Sequence, residues 1–167
     1  MSKFGKELCA VAASQVGYIE GPNNDNKYGE YFGANNQPWC AYFLMWCMAM
    51  CGADPEAAGF TGSVSSFYAM NNRVVSQLVP GDFVCFGQNR PYWTSVHQHA
   101  EMFIEFDTNG NLRTIGGNTS STSQSEGDGV EWKTRDADEV TACVHYDPGG
   151  ELNIPIWLLF QFKRRLT

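Results

Sequence analysis

This chain has no long apolar run, no large block of like charge and no paired metal-ligand motif, and each absence removes a class of function. The longest apolar stretch, Trp39 to Cys51, is 13 residues, whereas a bilayer crossing needs about 20, so no membrane partner is expected. Lys and Arg number 11 against 18 Asp and Glu, for a net charge of −7, and the one basic cluster is Lys163-Arg164-Arg165. That balance speaks against nucleic acid, which needs a basic face. It also gives no attraction to anionic polymers, so a target of that kind must be held by shape and hydrogen bonds. No CxxC or HxxxH pair occurs. Cys40, Cys47 and Cys51, spaced by seven and four on one helical face, therefore read as core packing rather than a metal cluster. The first residues lack the apolar core of a secretory signal. Synthesis in the cytoplasm without a signal peptide is expected, with the six cysteines reduced.

What is present is an ordinary globular inventory. With 167 residues, 43% hydrophobic and 14% aromatic, the chain can bury one normal core. Phe4, Leu8, Val11 and Ala12 form a helical stripe over residues 3 to 16, ended by Gly17. Residues 18 to 38 read as a polar loop rich in Gly, Asn and Tyr. A second helix starts near Trp39-Cys40 and stops at Gly52, and a third spans about 63 to 71 with Ser63 as its cap. From "VPGD" at 79 to 82 the pattern changes to strands: "FVCF", then "HAEMFIEF" at 99 to 106 in period two, a "DTNGN" turn, and "LRTIGG" returning. A polar loop at 118 to 129 precedes "VEWKTR" and "EVTACVHY". Helices followed by an antiparallel meander predict an α+β fold, with residues 147–167 as a C-terminal extension packing on the body at 1–146.

Cys40 opens the second helix. Unsatisfied N–H groups and the macrodipole at a helix start favour thiolate over thiol, and the thiolate is the nucleophile. The Cys40 N–H and the Gln37 amide are candidate donors to an oxyanion. A cysteine nucleophile needs a base and an orienter for it. His97 and His99 lie two apart near the start of the alternating strand, and Asn118 follows "TIGG" on its partner strand, where an amide can fix an imidazole tautomer. Tyr28, Tyr92 and Trp93 are candidates to wall a substrate groove.

Taken together, "EGPNNDNKYGEYFGANNQPWCAYFLMWC", "VPGDFVCFG", "HAEMFIEFDTNGNLRTIGGNTS" and "VEWKTR" resemble the CHAP family, cysteine- and histidine-dependent amidohydrolases/peptidases that cut bacterial peptidoglycan. The resemblance runs in order from about residue 9 to 146. It implies a papain-like α+β fold, with Cys40 as nucleophile, His99 rather than His97 as base, and Asn118 as the polar residue that orients it. It implies an amide cut in the wall, at the glycan–peptide bond or within the stem or cross-bridge, as in a phage lysin released through a holin or aided by a separate wall-binding chain. Two departures stand out. Many relatives carry Glu two residues before the Asn, where this chain has Gly116, leaving Glu101 on the His99 strand face as another candidate orienter. Some relatives bind calcium ahead of the Cys; Glu20, Asn23, Asn24 and Asp25 bring little formal charge for a hard cation, and no cofactor is required. Two other readings stay open: a papain-like protease or acyl-transferase acting on proteins, and an inert wall-binding module.

Overall fold

The computed structural model describes residues 2–87, 99–120 and 127–149; its helices come first and its strands after. Helix α1, Lys3–Gln15, is capped by Ser2, whose Oγ accepts from the Gly5 N–H at 3.0 Å, and buries Phe4, Leu8, Val11 and Ala12. A short helix α2, Lys27–Tyr31, interrupts the segment expected to be loop throughout. Its start is set by Asn26, whose side chain accepts from the Gly29 N–H at 2.7 Å. Five residues are too few to leave a periodic signal. Helix α3, Cys40–Met50, is apolar all round and correspondingly central, burying Cys40, Ala41, Phe43, Leu44, Met45, Cys47 and Met48. Helix α4, Val64–Ala69, is shorter than expected but begins at the expected cap, Ser63.

Five antiparallel strands follow: β1 Phe83–Phe86, β2 His99–Phe106, β3 Leu112–Thr119, β4 Gly129–Arg135 and β5 Val140–Val144, in the order β4-β3-β2-β1-β5. The β2–β3 hairpin turns at Gly110, whose φ of +85° suits glycine. β3 runs through Asn118 and Thr119, where a loop was expected to begin. After a register shift beyond Gly116, Thr119 still pairs with Gly129.

Period-two alternation separates two cores. One face turns Phe83, Cys85, Ala100, Met102, Ile115, Ala142 and Val144 toward the helices, and α3 lies across β2 and β3. The other face buries a smaller cluster of Leu78, Val84, Phe86, Phe103, Leu112 and Cys143. Phe4 and Phe60 contact Tyr146 edge-on, so the body reaches that residue. The extension expected at 147–167 lies outside the described residues from 150 onward.

Candidate active site

Two elements bring a thiol and an imidazole together: Cys40 is the first residue of α3, and His99 the first of β2. The loop before Cys40 is fixed by Trp39. Its ring is fully buried, stacks on Tyr28 at 5.1 Å, and donates its indole N–H to the Glu20 carboxylate. No side chain caps α3, so the first-turn N–H groups remain for other partners. The Ala41 and Ala100 N–H groups bond the Cys40 sulfur.

Cys40 is 6% exposed and His99 2%. Burial by itself would raise the thiol's pKa, yet the hydrogen bond and charge of His99, with the two backbone N–H groups, bring it below its ordinary value. His99 mirrors this: burial pulls its pKa down, but Cys40 and Glu101 lift it to about 9. The other five cysteines go the opposite way. Burial pushes Cys9 to about 11 and Cys51 to about 12, and raises Cys47, Cys85 and Cys143. All six are free cysteines, and Cys40 alone has its pKa drawn down, toward the thiolate.

The imidazole's hydrogen bond goes to a carboxylate rather than to the expected amide. His99 Nε2 meets Glu101 Oε1 at 3.0 Å. Glu101 is fully buried, accepts from Thr114 Oγ1 at 2.5 Å and Arg135 Nε at 3.0 Å, and receives a second bond from Arg135 Nη2. Burial alone would raise its pKa; the bonds to and charges of His99 and Arg135 hold it down at about 2. An ionised carboxylate only accepts, so Nε2 carries the ring proton. Nδ1 is buried with no other partner and is the nitrogen left for the thiol proton.

Asn118 is buried on β3 beside this group, with φ at +55°, a conformation asparagine tolerates better than most residues. Its carbonyl accepts from the Gly127 N–H at 3.2 Å. It is not the partner of the His99 ring. The reason is steric as well as electrostatic: with glycine at 116, Glu101 has room to reach Nε2 first. Gln37, expected as an oxyanion donor, is exposed and gives an amide hydrogen to the Ala34 carbonyl at 3.0 Å. Tyr28, expected in a substrate groove, is fully buried and surrounded by Trp39, Phe43, Trp46 and Tyr18; its aromatic surface is spent on the core. Tyr92, Trp93 and His97 lie outside the described residues. The loop around Asp25 is bonded internally, Asn35 Nδ2 donating to Asp25 Oδ1 at 2.6 Å. Among the described residues, no three His, Cys, Asp or Glu side chains gather to hold a metal ion.

Arg135 and Thr114 escaped the sequence reading because each is an unremarkable polar residue in a strand pattern. The available signal was Glu101 itself, a carboxylate two residues from His99 and so on the same strand face.

No family model matches the sequence, and no curated protein matches it. The fold is similar to a solved structure, RipD from Mycobacterium tuberculosis, described as a non-catalytic NlpC/p60 domain protein adapted to peptidoglycan-binding function. The likeness has a TM-score of 0.52 at 14% identity, over 88% of this chain and 100% of that one. The expected architecture is therefore the observed one: papain-like α+β, with N-terminal helices packed on an antiparallel sheet.

Proposed function

We propose that this chain is a cysteine-dependent peptidoglycan hydrolase in which Cys40 attacks an amide carbonyl of the bacterial wall. The observation that carries the reading is the contrast among six buried or half-buried thiols: five are pushed toward inertness, and the one at a helix start, beside a buried imidazole, is drawn toward the thiolate. An inert domain has no physical use for that arrangement, since stabilising a buried thiolate–imidazolium pair costs desolvation that plain packing would avoid.

In this reading His99 Nδ1 takes the Cys40 proton, and the thiolate adds to the carbonyl carbon. The uncapped first turn of α3 offers N–H donors to the oxyanion. Collapse of the adduct breaks the C–N bond, and the imidazolium returns its proton to the leaving amine. Water, deprotonated by His99, then releases the acyl group and restores the thiol. The bond cut is the muramoyl–alanine amide or one within the stem or cross-bridge.

A second reading is favoured by one finding, the likeness to a protein described as non-catalytic and peptidoglycan-binding. Digestion of purified peptidoglycan from several wall types, wild type beside Cys40→Ser, separates the two. Fragments that depend on Cys40 are expected, and their masses name the bond. Binding without any thiol-dependent fragment would leave the inert module standing.

A further inference from the structure

β3 carries two glycines in succession, and the side chains they lack would point to opposite faces of the strand. A Cβ on Gly117 would lie 2.6 Å from Trp39 Cζ3 and 2.7 Å from Phe43 Cβ, inside the contact with α3. A Cβ on Gly116 would lie 2.9 Å from both Cγ and Oε1 of Glu101. Gly116 is not among the residues with positive φ, so backbone conformation does not call for glycine there. Room does. The space a side chain at 116 would enter holds the Glu101 carboxylate, reaching across from the neighbouring strand.

We infer that Glu101 is the positioning residue of the Cys40–His99 pair, admitted by Gly116, clamped by Arg135 and Thr114, and responsible for keeping His99 oriented and charged beside the thiolate. The inference rests on the reading of Cys40 as a nucleophile. Its geometry stands apart from that reading. Each Glu101 oxygen accepts two bonds: Oε1 from His99 and Arg135 Nη2, Oε2 from Thr114 and Arg135 Nε. With its lone pairs filled, the carboxylate can neither swing away nor easily take a proton.

The groups facing one another alternate in sign: Arg135 from β4, Glu101 and His99 from β2, and Cys40 from α3, with neutral Thr114 from β3 closing the side. With Cys40 as the thiolate, such an array buries four charges with a net of zero, which is the condition for tolerating them in a low dielectric. An amide orienter could supply the tautomer but no charge, leaving the imidazolium to rely on the thiolate alone. A merely structural Arg135–Glu101 pair would hold β2 to β4 without affecting the thiol.

The test reads the thiol directly and needs no substrate. The full chain is alkylated with iodoacetamide from pH 4 to 10, and the rate at Cys40 is followed by peptide mass spectrometry. Wild type is expected to alkylate well below the pH of an ordinary thiol. In Glu101→Gln the midpoint should rise by about one unit or more, cutting the rate about tenfold or more at any pH below the wild-type midpoint. Gly116→Ala keeps every charge but crowds the carboxylate, and should shift the midpoint the same way by less. Because Glu101→Gln leaves Arg135 a buried cation without its partner, a double variant, Glu101→Ala with Gly116→Asp, returns a carboxylate to the same space from the other strand. It should fold and recover low-pH alkylation.

A folded Glu101→Gln with the wild-type profile would overturn the inference, as would a folded double variant whose Cys40 behaves as an ordinary thiol. A wild-type Cys40 with ordinary reactivity would overturn both this inference and the nucleophile reading. A reactive Cys40 that depends on Glu101, in a protein that releases no wall fragments, would support the role of Glu101 and remove only the substrate.

Discussion

Two Arg–carboxylate pairs in this fold, one a single bond at the surface and one forked in the interior, should differ several-fold in their effect on stability. Arg113 Nη1 meets Glu105 Oε1 at 2.9 Å with side chains 45% and 55% exposed, whereas Arg135 and Glu101 are 3% and 0% exposed. Removing one partner of the exposed pair costs about 0–1 kcal/mol, because water and salt replace it. Removing Arg135 strands the Glu101 carboxylate in the interior, and breaking such a pair costs about 3–5 kcal/mol. A second route gives the same size: holding Glu101 at about 2 rather than 4.5 corresponds to roughly 3 kcal/mol, shared between His99 and Arg135. For a chain of this length each kcal/mol moves Tm by about 2–4 °C, so Arg135→Met should melt about 6–20 °C lower at pH 7. Arg113→Ala should move by no more than about 4 °C. The depressed pKa also fixes the sign with pH. The Glu101 contribution is complete above about 4.5 and is lost as pH falls through about 2. The Arg135→Met deficit should therefore shrink on acidification. Calorimetry of the two variants and the wild type at pH 7 and pH 3 checks this. Equal, small shifts for both variants at pH 7 would refute the argument that burial decides the magnitude.

Two other outcomes follow from the same geometry. Gly117→Ala drives a methyl into Trp39 and Phe43 and should cost about 1–3 kcal/mol by overpacking. If Cys40 is the proposed nucleophile, pushing α3 off the sheet should also lower wall cleavage about 10- to 100-fold, since a displaced nucleophile loses its alignment; full activity with a lowered Tm would mean that α3 holds its place by other contacts. If Cys40 is the proposed nucleophile, cleavage should rise with pH through its depressed value and decline through about 9 as His99 loses its proton. A rate that keeps climbing past that point would mark Cys40 as an ordinary thiol.

The sequence by itself determined the order of elements and the type of almost all of them. Helical spacing in 3 to 16 and alternation in 99 to 106 are local consequences of which face must be buried, so they survive without knowledge of the partner. It also singled out Cys40, because a helix start has its own chemistry, whereas the choice of His99 over His97 came from the family resemblance. The short α2 escaped, since one turn capped by Asn26 leaves no period to read. Which polar group meets the His99 ring was decided only by the tertiary structure. Asn118 and Glu101 lie on adjacent strands, and register, a missing Cβ at Gly116, and Arg135 arriving from a third strand together favour the carboxylate. Tyr28 shows the same limit from the other side: an aromatic in a polar loop can face a groove or the core, and the position of Trp39 and Trp46 placed it in the core. Periodicity records burial along one element, whereas an ionisation state depends on the charges that several elements bring to one point in space.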